Sequence, residues 1–268
     1  MVRVGLVGCG TIGSQLALAL ERTFAHTAKI VALHDADPTH AVALQRRLAS
    51  HPLITSLAQL IHKSQLVLEA ASVDAAALVL RHALRQRRDV FIMSVGALLS
   101  DGTWIQRARR RGMRVYIPSG ALAGLDGIKA MAVGTIRSVS LTSRKPPHAL
   151  SSAPYVLHRR INLNGLKRPR VVFDGSPADV VKAFPQNTNV AAALALASGS
   201  SGKRARIRVI ADPSARVNAH EVEVEGDCGR ISCRIESRPS PNPKTSELAV
   251  RSAIATLARV FDPISVGT

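Results

Sequence analysis

Aromatic residues are scarce: one Trp, two Tyr and five Phe make up 3% of 268 residues. Proteins that hold single-stranded nucleic acid use aromatic faces as stacking platforms, so the shortage argues against that class. Acidic residues are also few. Eighteen Asp plus Glu stand against 36 Lys plus Arg, 28 of them Arg, for a formal net charge of +18. Such a field attracts nucleic acid, an anionic membrane or anionic metabolites. Nine of the arginines, however, fall in Arg81–Arg88 and Arg107–Arg114, at the predicted C-terminal ends of two helices, where cations offset the macrodipole and face water. These clusters are read as solvated surface, and no nucleic-acid partner is expected. Only three cysteines occur, Cys9, Cys228 and Cys233. They form no C-x-x-C pair and have no histidines at ligand spacing, which excludes a disulfide framework and leaves no metal site to expect. No apolar run approaches the roughly 18 residues that span a bilayer. Met1 leads straight into a strand-like run without a signal-peptide layout, so a cytoplasmic protein with no membrane partner is expected.

What the chain does have is apolar content, 46% of residues, enough for one large or two modest cores. The first motif is Val4-Gly5-Leu6-Val7-Gly8-Cys9-Gly10-Thr11-Ile12-Gly13. A strand-like run stops at a G-x-G-x-x-G turn and continues into the helix-forming Gln15–Leu20. That spacing permits a tight turn, close approach of a pyrophosphate to the backbone of Gly8, Gly10, Thr11, Ile12 and Gly13, and close helix–strand packing at the third glycine. A second strand-like run, Lys29–Leu33, leads to Asp35, where a carboxylate can accept hydrogen bonds from an adenosine ribose. Pro38 to Ser50 is predicted helical behind Asp37 as N-cap. Further strands are predicted at Gln65–Leu68, Asp89–Met93 and Met113–Ile117. Ser72, at the end of the first of these, can either meet the cofactor or cap the helix from Val73 to Arg87. Five strands alternating with helices predict a Rossmann-type, doubly wound parallel sheet over residues 1–118.

After Pro118 the rhythm changes, and a second α+β domain with a mixed sheet is expected over 119–242, with 243–268 packing back on the first domain. Strand-like stretches dominate: Ile136–Thr142, Val171–Phe173, Arg204–Ile210, Val217–Val224 and Ile231–Glu236. Helices are expected up to about Gly134, from Ser176-Pro177 to Phe184, from Asn189 to Ser198 and from Lys244 to Phe261. Lys145 and Lys244, each beside prolines, are candidate anion sites, with Arg144 as a bidentate alternative. Asn242 and Thr245 can hydrogen-bond a carboxylate, although Asn242–Ser246 could equally cap the last helix.

Several segments, in order, carry a likeness: Pro118–Asp126, Thr142-Ser143-Arg144-Lys145-Pro146-Pro147, Phe173-Asp174-Gly175, Phe184-Pro185-Gln186-Asn187-Thr188-Asn189-Val190-Ala191, Asn218-Ala219-His220 and Pro241–Ser246. With the glycine turn before them, they resemble the L-aspartate dehydrogenase family across nearly the whole chain. The resemblance implies NAD(P)-dependent oxidation of L-aspartate to iminoaspartate, which hydrolyses to oxaloacetate or feeds quinolinate and NAD synthesis. It implies Ala123 and Asn189 as cofactor contacts and His220 as the active-site residue. It also implies a homodimer with the second domain's sheet at the contact. A histidine near pKa 6.5 suits removal of a proton from the substrate ammonium or from the water that attacks the imine. NAD is expected at Asp35, with NADP possible. The rival readings are another Rossmann reductase acting on an imine or semialdehyde-derived substrate, and a non-catalytic NAD-sensing nucleic-acid binder.

Overall fold

The computed structural model describes residues 1–100, 103–185, 189–238, 246–264 and 266–267. The chain divides into two compact units, Met1–Pro118 with Val250–Ser265, and Ser119–Ala249 with Val266–Thr268.

The first unit runs β1 (Val2–Val7), α1 (Thr11–Thr23), β2 (Ala28–His34), α2 (Pro38–Gln45), β3 (Leu53–Ile54), α3 (Leu57–Lys63), β4 (Leu66–Glu69), α4 (Val73–Gln86), β5 (Asp89–Ile92), α5 (Ala97–Ser100), α6 (Trp104–Arg110) and β6 (Val115–Tyr116). The strands form one sheet in the order β3-β2-β1-β4-β5-β6, parallel at every pairing. This is the doubly wound arrangement, and strand order reverses between β1 and β4, which opens a crevice beyond their carboxyl ends. Helix α4 shows how the sequence builds such a layer. Ala76, Val79, Leu80, Ala83 and Leu84 recur at helical spacing and are buried, while the Ser72 side chain accepts from the Ala75 N–H at its start.

Local departures from the sequence expectation include the end of α2 and the strand β3. Helix α2 begins as predicted, with Asp37 accepting from the Thr39 N–H and Pro38 in its first turn, but it ends at Gln45 rather than Ser50. The Glu21 carboxylate takes the Ala49 and Ser50 N–H groups, each at 2.9 Å, which removes those amides from a helical register. The sixth strand, β3, is two exposed residues long and was not anticipated.

The second unit contains α7 (Leu125–Met131), β7 (Ile136–Lys145), α8 (Pro154–His158), β8 (Arg170–Gly175), α9 (Pro177–Ala183), α10 (Asn189–Ala197), β9 (Arg206–Ala211), β10 (Asn218–Gly226) and β11 (Gly229–Ser237). Its sheet order is β11-β10-β7-β9-β8. Strands β7 and β9 pair parallel and the other neighbours antiparallel, so the sheet is mixed. Alternation along β7 buries Val139, Leu141, Ser143 and Lys145. These residues face a core shared with Ile128 of α7, Val180 of α9 and Leu194 of α10. The opposite face is polar and carries ion pairs such as Arg234–Glu221 at 2.7 Å and Arg230–Glu223 at 2.8 Å. Helix α11 (Glu247–Phe261) leaves the second unit after Ala249. From Val250 onward it belongs to the first, where Ala253 and Leu257 are fully buried and the Phe24 and Phe261 rings lie 5.6 Å apart.

Candidate active site

In the first unit the site begins where β1 stops. Gly8 sits at φ +92°, and a side chain there would be strained and would press within 2.6 Å of the Ala70 carbonyl oxygen. A methyl group on Gly13 would run into the Gly8 carbonyl, whereas one on Gly10 would meet nothing within 4 Å. Two of the three glycines are thus demanded by the turn's own packing, and the middle one leaves space open. Helix α1 starts just after Gly10 with no side chain capping it. Its first-turn amides, on Thr11, Ile12 and Gly13, therefore have no acceptor within the helix and favour an anion.

Asp35 follows β2 on the other wall of this turn. Its carboxylate accepts from the Cys9 N–H at 2.6 Å and the Asp37 N–H at 2.9 Å, with His40 Nδ1 at 3.6 Å. A carboxylate offers about four lone-pair sites, so two remain for a ligand's hydroxyl groups. Cys9 beside it is chemically quiet, since burial and then the Asp35 charge push its thiol up to about 12. Ser72 is exposed and caps α4, one of the two roles foreseen for it.

The crevice also has a residue that sequence reading passed over. Glu69, the last residue of β4, is fully buried. Its Oε1 accepts from the Ala71 N–H and from the Ser94 hydroxyl, each at 2.8 Å, and its Oε2 from the Ser94 N–H at 2.9 Å. Burial raises its pKa against the pull of those bonds. The carboxyl group ties together the turns that follow β4 and β5. An acidic residue after an apolar run reads as the point where a strand meets solvent, and no other signal marked it.

In the second unit, His220 on β10 pairs in register with Ser143 on β7. Both are buried, at 4% and 5% exposure, and Ser143 Oγ lies 2.9 Å from His220 Nδ1. Two residues along β7, on the same face, Lys145 is 7% exposed. Burial lowers its pKa from 10.5 to about 8. Burial first, and then the Lys145 charge, lower that of His220 from 6.5 to about 3. The ordinary histidine value expected from sequence is therefore not what this position has: the imidazole is neutral throughout the physiological range. A small cavity of about 10 Å³ adjoins the group, lined by Ser143, Lys145, Phe184 and Val190 among others. Arg144 does not join the cluster. The pleat turns it to the opposite face of the sheet, 3.5 Å from Glu221 and 3.9 Å from Asp212. Ala123 is exposed in the loop before α7. At the start of α10, Asn189 buries Oδ1 with no hydrogen-bond partner among the described residues. Asn242, Lys244 and Thr245 lie outside the described residues. Among the described residues no group of three or more His, Cys, Asp or Glu side chains could hold a metal, and no helix is long and apolar enough to cross a membrane.

Comparison with known proteins places this arrangement. A family model described as "Aspartate dehydrogenase, C-terminal" matches residues 126–260. An L-aspartate dehydrogenase of Methanosarcina acetivorans is 41% identical over the full length of both chains. The chain belongs to the L-aspartate dehydrogenase family. A more distant member from Bradyrhizobium diazoefficiens is 36% identical over all of this chain and 94% of its own. The model "Homoserine dehydrogenase, NAD binding domain" matches residues 8–118, the span that opens on the glycine turn. Among solved structures, aspartate dehydrogenase from Thermotoga maritima superposes with a TM-score of 0.74 at 25% identity, covering both chains completely. Scyllo-inositol dehydrogenase from Lactobacillus casei has a TM-score of 0.58 at 13% identity over 100% of this chain and 91% of its own, a likeness of fold alone. Ser143, like Glu69, went unmarked as a functional residue in the sequence reading, although it lies inside a segment that carries the family likeness. A serine in a strand has no distinguishing pattern until the register sets it opposite His220.

Proposed function

We propose that the protein oxidises L-aspartate to iminoaspartate with NAD(P), the imine hydrolysing to oxaloacetate or passing to quinolinate formation. When bound, the cofactor supplies a nicotinamide ring as acceptor for the hydride that leaves the substrate Cα. The residues present fit such a group: the open side of Gly10 and the first-turn amides of α1 suit a pyrophosphate, and Asn189 has a buried oxygen with no partner among the described residues. Asp35 would hold a ribose hydroxyl. It favours NAD over NADP because a 2'-phosphate would lie against its negative charge. Ala123, and Ser72 through the helix it caps, would complete the contacts.

The observation that carries the reading is the buried trio His220, Ser143 and Lys145 on one face of the second sheet. Lys145 would bind a substrate carboxylate, with Asn242, Lys244 and Thr245 as further ligands. His220, held neutral, would take a proton from the substrate ammonium so that the imine can form. Substrate carboxylates beside Lys145 act on the imidazole in the sense opposite to the ammonium. A carboxylate bound at Lys145 therefore raises the basicity of the imidazole. The protein is proposed to work in the cytoplasm as a homodimer joined through the open face of the second sheet.

A steady-state panel tests the reading. L-Aspartate, D-aspartate, L-glutamate and L-alanine are compared in the oxidative direction, and oxaloacetate with ammonia in reverse, for wild type and His220→Asn. Turnover of L-aspartate and of oxaloacetate with ammonia is expected. In His220→Asn kcat should fall by about 10²- to 10⁴-fold with NAD affinity retained. Equal rates with L-alanine and L-aspartate would reject the substrate, and wild-type kcat in His220→Asn would reject the base.

A further inference from the structure

An imidazole can serve as a proton acceptor only at the nitrogen that carries no hydrogen, and in the neutral ring that choice is made by the partner of the other nitrogen. In His220 the partner is on the page: Nδ1 lies 2.9 Å from Ser143 Oγ, and among the described residues the ring has no other hydrogen-bond partner. The placement is built into the sheet. His220 and Ser143 are directly paired across β10 and β7, where side chains stand about 4.5–5.5 Å apart at Cβ. Both are almost wholly buried, so no water competes freely for the contact. A serine hydroxyl can either donate to Nδ1 or accept from it. If it donates, the ring hydrogen sits on Nε2 and the imidazole presents no lone pair to a substrate. If it accepts, the hydrogen sits on Nδ1 and Nε2 is the base.

We infer that Ser143 is a positioning residue for the proton-transfer step: its Oγ accepts from the Nδ1–H of His220, which leaves Nε2 as the nitrogen that exchanges protons with the substrate amine. The inference rests on His220 being the base. In the forward direction an N–H bond of the substrate ammonium breaks, its electron pair stays on the substrate nitrogen, and the proton forms a bond to Nε2. The imidazolium so formed still donates Nδ1–H to Ser143, a charge-assisted bond stronger than the neutral one it replaces. The same contact therefore holds the ring in the reactive tautomer and stabilises the cation that the step creates. The serine's own hydrogen is free to turn into the adjoining cavity of about 10 Å³, which Ser143 and Lys145 both line and which is about the size one water requires.

Two-bond ¹H–¹⁵N correlation of the imidazole at neutral pH reads the tautomer without any turnover, and it is applied to wild type, Ser143→Ala and Ser143→Thr alongside kcat, KM and NAD affinity. The expected result is the Nδ1–H tautomer in wild type, a mixture or the Nε2–H form in Ser143→Ala, and recovery in Ser143→Thr, which restores a hydroxyl. Loss of kcat should track the tautomer, about 10- to 100-fold in Ser143→Ala out of the general-base contribution of about 10²–10⁴, with KM for aspartate and NAD affinity close to wild type. An Nε2–H tautomer in wild type, an unchanged tautomer and kcat in Ser143→Ala, or a Ser143→Thr enzyme as slow as Ser143→Ala while well folded would each overturn the inference. His220→Asn keeps a failure of the underlying reading distinct. Wild-type kcat in that variant overturns the base itself, whereas an impaired His220→Asn beside an unimpaired Ser143→Ala overturns Ser143 alone.

Discussion

Replacing Lys145 with methionine should make the protein more stable and a poorer enzyme. The ammonium is 7% exposed, and burial takes its pKa from 10.5 to about 8. At 1.36 kcal/mol per unit, the difference of 2.5 units corresponds to about 3 kcal/mol. Between pH 8 and 10.5 the unfolded lysine keeps its proton while the folded one loses it, so the unfolded chain binds more protons and stability rises with pH through that window. The cost is therefore fully present below pH 8 and gone above 10.5. Methionine has similar reach and no charge, and it also removes polar contacts that Lys145 makes. The net gain expected at pH 7 is thus about 1–3 kcal/mol. The acid side should change too. An unfolded histidine takes a proton near 6.5 and buried His220 only near 3, so stability falls as pH drops through that interval. Lys145 is the second cause of the lowered value, and without it the folded pKa rises and the loss on acidification shrinks. Urea unfolding followed by circular dichroism at pH 4.5, 7 and 10.5 reads all three regimes, and the KM for aspartate measured in parallel should rise. A Lys145→Met protein less stable than wild type at pH 7, or shifted equally at every pH, would refute the reasoning.

The glycine turn should separate folding from binding. Gly10→Ala meets open space and should leave stability within about 0.5 kcal/mol while raising the Kd for NAD measured by calorimetry, whereas Gly13→Ala should cost at least 1–3 kcal/mol of overpacking; unaltered NAD binding in Gly10→Ala would remove the pyrophosphate from that position. For cofactor choice, wild type should show the higher kcat/KM with NAD, and Asp35→Ser should narrow the margin over NADP. A wild type that favours NADP, or a preference untouched by the substitution, would take Asp35 out of this role.

Much of the first sheet could be read in advance because each strand, turn and helix there carries its own local pattern, from the glycine spacing after β1 to the helical run of buried residues in α4. What escaped depended on partners far away in sequence. The end of α2 is decided by Glu21, whose carboxylate takes the Ala49 N–H 28 residues further on, and the strand β3 is two exposed residues with no alternation to read. At the candidate site the same division holds. His220 was marked only through the family likeness, because a histidine on a strand is ordinary. The separation of Lys145 from Arg144 needed the pleat of β7 and its burial. Ser143 and Glu69 had no local pattern at all, since their meaning comes from the register across β7 and β10 and from the turns that two neighbouring parallel strands share.

The return of α11 sets an order on synthesis. The seat for Ala253 and Leu257 is made by residues of the first unit, yet Val250 emerges about 130 residues after Pro118. At about 5–20 residues per second, the nascent first unit waits roughly 7–26 s with that apolar seat uncovered, while the entire second unit is being made. A ribosome-bound chain stopped near residue 240 should therefore recruit chaperones through this surface. The last turns of the protein act as the closure of its first domain, and the second unit is in effect an insertion that must be synthesised before the first can be completed.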